Sequence, residues 1–235
     1  MKVKPVILCG GSGSRLWPNS QNKLAKQFIN FGNWTLLDRT LQRIKGTLFD
    51  SPIISTNSAY VNLVKKHLTK NKIKKYKIIL EPFKKNTAPA ILTSALLKNV
   101  PLEQTMIFYP ADHYVENVNT FNKSIISNIK YLNKINIFIF GVKPAHPSSE
   151  YGYFLTKKLP NKKVNVVKKF IEKPRMKKAK EIIKKNGYWN SGIFFAKKES
   201  IINNFKKYQP LLYNHCFNSI LRSTQNKNTI FLDKS

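Results

Sequence analysis

Val3-Lys4-Pro5-Val6-Ile7-Leu8-Cys9-Gly10-Gly11-Ser12-Gly13-Ser14-Arg15 is the stretch that decides the architecture of this chain. Positions 3–9 form a short, nearly continuous apolar run, the pattern of a strand buried on both faces. A Gly/Ser loop follows at once. Such strands belong to parallel sheets, whose crossovers are helices.

Outward from this segment the same alternation recurs. Residues 36–44 are apolar at helical spacing and stop at Gly46. Residues 53–54 read as a short strand, and Ser58 as the cap of a helix running to 68. A strand at 76–80 precedes a helix at 87–97, with Thr87 as N-cap and Pro89 in the first turn. Strand 105–109, helix 121–132 and strand 135–140 continue the series. Beyond Gly141 the rhythm loosens. Strands are expected at 151–155, 164–171 and 192–196, and helices at 176–185, 199–207 and 210–222, with no internal repeats. The order predicts an α/β fold, a Rossmann-like, mostly parallel mixed sheet flanked by helices. Residues 1–235 read as a single domain with a soft boundary near Pro144 and Pro147, giving a 1–141 part and a 142–235 part.

The 235 residues carry 42 Lys plus Arg against 11 Asp plus Glu, a formal net charge of +31. Such an excess ordinarily suggests nucleic acid, which basic surfaces bind by releasing counterions. Yet 37 of these residues are Lys and five are Arg, the residue that base-edge readout favours. The lysines run through every region, alongside 25 Asn and 24 Ile, residues with AT-rich codons. The excess therefore reads as compositional drift on solvated faces, and no specific nucleic-acid partner is expected. At 42% hydrophobic the chain is too apolar for disorder. No apolar run approaches the ~20 residues of a membrane span, and the stretch at 5–9 is too short for a signal-peptide core of roughly 7–15 residues. Two cysteines, Cys9 and Cys216, give no disulfide framework. A cytoplasmic protein is expected.

In a sheet of this kind, ligands bind beyond the carboxyl ends of the strands. The segments there are 10–18, 81–89, 110–113 and 172–174. In the first, glycines let the backbone approach a phosphate, and Arg15 adds a planar guanidinium. It is not a Walker A loop, and it lacks the third glycine of a dinucleotide fingerprint. Lys26 is a candidate second cation. Taken without further context, Asn86-Thr87 reads equally as a helix cap, and Glu172-Lys173 as a surface salt bridge.

Gly10-Gly11-Ser12-Gly13-Ser14-Arg15-Leu16-Trp17-Pro18 with Lys26-Gln27-Phe28 resembles the sugar-nucleotide pyrophosphorylases, closest to the bacterial mannose-1-phosphate guanylyltransferases. Further matches come in family order. They are Glu81-Pro82 with Asn86-Thr87-Ala88-Pro89-Ala90, then Pro110-Ala111-Asp112-His113 and Tyr151-Gly152-Tyr153. Phe170-Ile171-Glu172-Lys173-Pro174 and Trp189-Asn190-Ser191-Gly192-Ile193-Phe194 complete the set.

The resemblance implies the nucleotide-diphospho-sugar transferase (GT-A-like) architecture. It implies transfer of GMP from GTP to mannose-1-phosphate, giving GDP-mannose and pyrophosphate. Gly10, Gly11, Ser12, Gly13, Ser14 and Arg15 would hold the GTP phosphates, and Lys26 would contact triphosphate and attacking phosphate. Glu81, Asn86, Thr87 and Ala88 would line the base pocket. Asp112 would bind Mg2+, which takes one or two carboxylates plus phosphate oxygens. His113 is a ligand, a proton carrier or a shaper of the loop. Gly152, Glu172, Lys173 and Asn190 would receive the sugar phosphate, with Trp189 in packing. A homo-oligomer is left open.

Two departures stand out. Ala25 occupies the position where the family commonly has Pro. Nothing before Ser235 resembles the Trp-Ser-Asp-Val-Gly-Ser-Trp-like motif that supplies a second metal-binding Asp, so an incomplete domain is expected. The alternatives are a catalytically impaired nucleotide-binding remnant and a transferase for a related hexose-1-phosphate.

Overall fold

The computed structural model describes residues 2–11, 25–83, 86–132, 137–159 and 164–234. The element order is β1 (Lys4–Leu8), a 3-10 turn (Lys26–Phe28), β2 (Asn30–Phe31), β3 (Trp34–Thr35), α1 (Leu36–Arg43), β4 (Ile53–Asn57), α2 (Val61–Lys70), β5 (Lys77–Glu81), α3 (Thr87–Ala95), β6 (Thr105–Pro110) and α4 (Val118–Ile129). There follow β7 (Phe138–Val142), β8 (Tyr153–Lys158), β9 (Asn165–Ile171), α5 (Met176–Lys184), β10 (Tyr188–Lys197), α6 (Lys198–Tyr208), α7 (Pro210–Leu221), β11 (Thr224–Asn226) and β12 (Thr229–Phe231). No helix among the described residues is long and apolar enough to cross a membrane.

The chain forms two compact units. One comprises Met1–Ile137 with Phe195–Ser235, the other Phe138–Phe194. The polypeptide after β10 thus belongs to the first unit, so residues 142–235 are shared between the two.

In the first unit the strand order is β11-β12-β5-β4-β1-β6. All neighbours run parallel except the β11–β12 hairpin. Ile54 of β4 stands opposite Ile7 on one side and Ile78 on the other, and all three are fully buried. This explains why β1, β4 and β5 read as continuous apolar runs rather than alternating ones. Because the strands are parallel, Cys9, Asn57, Glu81 and Pro110 all arrive at the same edge of the sheet.

Helix α1 is fixed at its start by a capping box in which the Thr35 hydroxyl accepts from Asp38 N–H and the Asp38 carboxylate from Thr35 N–H. Asp38 is 1% exposed, and its carboxylate also meets His67 Nδ1 at 2.8 Å, Lys70 Nζ at 2.8 Å and Asn71 Nδ2 at 2.6 Å. Burial by itself would raise its pKa. The bonds from Lys70, His67, Asn71 and the Thr35 backbone outweigh that and hold it well below the usual carboxylate range. One aspartate thereby ties α1 to α2.

The two expected caps are corrected. Thr87 is the first residue of α3, and Asn86 occupies the N-cap position. Helix α2 begins at Val61 after Tyr60 rather than at Ser58, because Asn57 Oδ1 takes the Ala59 N–H in a local turn and delays the helix.

In the second unit β10 pairs antiparallel with β8, β8 pairs antiparallel with β9 across a bulge at Leu155/Thr156, and β7 joins β10. Helix α5 closes one face. Tyr153, Ala179 and Ile182 form its buried core, with Leu155, Ile171, Ile183 and Trp189 packed around them.

Candidate active site

At the carboxyl edge of the first unit, the start of the glycine loop is held by donors from two elements, the 3-10 turn and β4. Gln27 Nε2 donates to Gly11 O at 3.1 Å and Cys9 O at 3.4 Å. Thr56 Oγ1 donates to Cys9 O at 3.1 Å, and Asn57 Nδ2 to Gly10 O at 3.3 Å. These bonds engage the carbonyls of Cys9, Gly10 and Gly11. Ser12, Gly13, Ser14 and Arg15 lie outside the described residues.

Glu81 ends β5 beside this loop. Its Oε1 accepts from Ser55 Oγ at 2.5 Å, and a Cβ on Gly10 would sit 3.4 Å from Oε2. Burial raises the Glu81 pKa, and the Ser55 bond offsets part of that rise. Glycine at position 10 thus lets backbone and carboxylate lie side by side. Asn86, Thr87 and Ala88 open α3 further along the same edge.

The Cys9 thiol is buried here and is pushed up to about 12 by burial, with Asp112 and Glu81 adding to the effect against bonds from Gln27 and Thr56. A thiol in that state is no nucleophile near neutral pH.

Asp112 follows β6. Its Oδ2 lies 3.5 Å from Lys26 Nζ, and Oδ1 lies 4.0 Å from His113 Nε2. The Lys26 and Asp112 side chains are 36% and 34% exposed, so the pair is open to a ligand. His113 is pushed below the ordinary imidazole value by burial, while Asp112 pulls it up and Arg43 and Lys26 push it down.

The loop carrying this pair is held from behind by α1. Thr40 Oγ1 donates to Ala111 O at 3.4 Å, and Arg43 donates to His113 O at 3.4 Å and Thr40 Oγ1 at 3.3 Å. Arg43 is 2% exposed and lies over the Tyr109 ring at 4.8 Å and the Phe121 ring at 5.9 Å. Among the described residues its Nε has no hydrogen-bond partner, nor has the buried Tyr109 hydroxyl. Burial lowers the Arg43 pKa against the opposing influence of Tyr109.

The second unit gathers its own candidates. A Cβ on Gly152 would meet Glu172 Oε2 at 2.8 Å and Phe170 Cζ at 3.0 Å, so the Glu172 carboxylate rests directly on the Gly152 backbone. Asn190 N–H donates to Gly152 O at 2.7 Å, and Asn190 Oδ1 accepts from Gly192 N–H at 3.0 Å. The Tyr153 hydroxyl donates to Ser148 O and accepts from Ser148 N–H, both at 2.9 Å, fixing the turn before Gly152. Lys173 takes φ +38°, a left-handed conformation that costs a non-glycine residue about 1–3 kcal/mol. Lys173 Nζ sits 3.9 Å from Glu172 Oε1. Trp189 packs against Tyr151 at 4.9 Å and His146 at 5.2 Å.

Residues 4–234 match the family model described as nucleotidyl transferase. The chain belongs to the nucleotidyl transferase family. It is 36% identical over 234 residues to the alginate biosynthesis protein AlgA of Pseudomonas fluorescens, covering 97% of this chain and 48% of that protein. It is 34% identical over 238 residues to a mannose-1-phosphate guanylyltransferase of Escherichia coli, covering 97% of this chain and 51% of that one. The chain therefore spans about half the length of the curated relatives it matches. A crystal structure from Helicobacter pylori, described as a mannose-6-phosphate isomerase, superposes with a TM-score of 0.83 at 28% identity over 100% of this chain and 87% of its own. A UDP-glucose pyrophosphorylase complexed with UDP-glucose shares the fold, at a TM-score of 0.67 and 16% identity.

In this nucleotidyl transferase the structure brings Gly10, Gly11, Glu81, Lys26 and Asp112 to one edge of the first unit. Gly152, Glu172, Lys173 and Asn190 are together in the second. Sequence reasoning did not single out Arg43, Thr40, Ser55 or Gln27. The one signal for Arg43 was its type, an arginine kept in a chain whose other cations are almost all lysine.

Proposed function

We propose that this chain transfers GMP from GTP to mannose-1-phosphate, yielding GDP-mannose and pyrophosphate. The observation that carries the reading is the Lys26–Asp112 pair, 3.5 Å apart and half-open beyond β6, next to a tethered glycine loop. A phosphate oxygen of the sugar phosphate attacks the α-phosphorus, a new P–O bond forms, and the bond to the β-phosphate oxygen breaks. Pyrophosphate leaves with the electron pair. Such a reaction needs positioning and charge neutralisation more than an acid or base. Lys26 supplies a cation for the meeting phosphates, and the loop at 10–15, Arg15 included, holds the triphosphate. Glu81, Asn86, Thr87 and Ala88 would face the base. Gly152, Glu172, Lys173 and Asn190 would hold the sugar phosphate.

The donor set suits Mg2+. Asp112 is a partly exposed carboxylate at a strand end, and no group of three or more His, Cys, Asp or Glu side chains gathers among the described residues. Mg2+ takes one or two carboxylates plus phosphate oxygens, so Asp112 together with substrate phosphates would suffice to hold it. Bound there, the ion would neutralise charge on the phosphates.

The test is pyrophosphate release from GTP and mannose-1-phosphate with Mg2+ by the purified chain, repeated with Lys26→Ala and Asp112→Asn. Turnover that either substitution reduces at least ~100-fold supports the assignment. GTP binding without turnover would instead establish an impaired nucleotide binder, and turnover with another hexose-1-phosphate alone would move the sugar assignment.

A further inference from the structure

The opposite edge of the same sheet holds a cavity of about 250 Å3 that the proposed reaction does not use. It sits where the parallel strands begin. Lys4, Ile53 and Lys77 are the first residues of β1, β4 and β5, and Asn228 immediately precedes β12. Ser51, Lys74, Lys75, Tyr76, Leu97 and Asn99 complete most of the lining. The strands are five residues long, so the cavity is about 13 Å or more from Glu81 and the glycine loop. A ligand here touches none of the reacting groups.

The chemistry of the wall is one-sided. Four of its twelve residues are lysines, where the composition of the chain would put about two, and none is Asp or Glu. Lys4 is committed to Asp50 at 2.5 Å and to Ser51 O at 3.1 Å. Lys74, Lys75 and Lys77 have no ion-pair partner among the described residues. Several backbone acceptors of the lining are engaged elsewhere. Lys198, 5% exposed, donates to Leu97 O at 2.8 Å and Val100 O at 2.6 Å. Pro52 O takes the Lys77 N–H and Asn228 O the Ile78 N–H. The cavity presents ammonium, hydroxyl and amide donors, with the carbonyls of Ser51, Pro52, Leu97, Val100 and Asn228 engaged, which suits a multivalent oxyanion.

We propose that this cavity is a second anion site that binds a small polyphosphate, with inorganic pyrophosphate as the probe. It is independent of the GTP-site reading, since no residue is shared. The test is calorimetric titration of pyrophosphate into the whole chain at fixed ionic strength, in a Lys26→Ala background to weaken the other edge. Removing Lys74, Lys75 and Lys77 together (each →Ala) is expected to weaken binding about tenfold or more, as loss of charge-assisted contacts requires. Removing the exposed Lys45, Lys65 and Lys66 (each →Ala) should change it less than about twofold. Equal weakening by both triples, or wild-type binding by the cavity triple, overturns the proposal. Amide NMR on the unsubstituted chain gives a readout free of folding defects. Pyrophosphate should shift the Asn99 and Asn228 side-chain resonances, and their invariance under saturating probe would also overturn it. Failure of GTP turnover leaves each of these outcomes unchanged.

Discussion

Arg43→Met should separate stability from activity. The buried guanidinium makes two long hydrogen bonds, 3.3 Å to Thr40 and 3.4 Å to His113 O, and lies over two rings. At the low end of the range for charged donors, the two bonds give about 2–3 kcal/mol. The desolvated cation–π contacts add about 1–2 kcal/mol. Against this stands the cost of burying a charge, several kcal/mol after relaxation, with no carboxylate partner among the described residues. These sums nearly cancel. Methionine fills similar space and packs against Tyr109 and Phe121, so unfolding free energy should move by less than about 1.5 kcal/mol in either direction. The loop that presents Asp112 loses its tie, however, and a displacement near 1 Å costs roughly 100-fold in rate. Urea melts followed by circular dichroism, with pyrophosphate release for kcat/KM, measure both. A stability loss above about 3 kcal/mol, or unchanged turnover, would refute the reasoning.

Asp38→Asn should lower stability at neutral pH by about 2–4 kcal/mol, because the Lys70 and His67 donors lose a buried charge. The folded carboxyl is depressed, so its stabilisation is complete above the ordinary carboxylate range and fades as pH falls through it; Tm of the variant should decline less steeply below about pH 5 than that of the wild type. Gly152→Ala puts a Cβ 2.8 Å from Glu172 Oε2, forcing that carboxylate aside. The expected result is a KM for mannose-1-phosphate raised about tenfold with KM for GTP unchanged, measured by initial rates.

The alternation of strands and helices was legible because each parallel strand is an apolar run that only burial on two faces explains. The strands that escaped notice lack that signature. Thr224-Gln225-Asn226 is an exposed polar edge strand, and β10 begins at Tyr188, four residues before the expected start at 192, on positions that are only partly buried. Among site residues, Asp112 stood out as one of four Asp, whereas Lys26 was one of 37 lysines and needed the family pattern. The ties from Arg43 to His113 and from Ser55 to Glu81 join residues 70 and 26 positions apart. No local spacing encodes such contacts, because tertiary packing brings them together.

The pairing of β12 with β5 has a bearing on how the protein is made. Ile230 finds its partner in Ile79, a residue synthesised about 150 positions earlier. At ordinary translation speeds of about 5–20 residues per second, the β5 side of the sheet stays bare on the ribosome for roughly 8–30 s. During that interval the unpaired N–H and C=O groups along that edge of β5 are open to wrong partners and to chaperones. A mutation slowing synthesis after β5 would then act on yield without altering a single native contact.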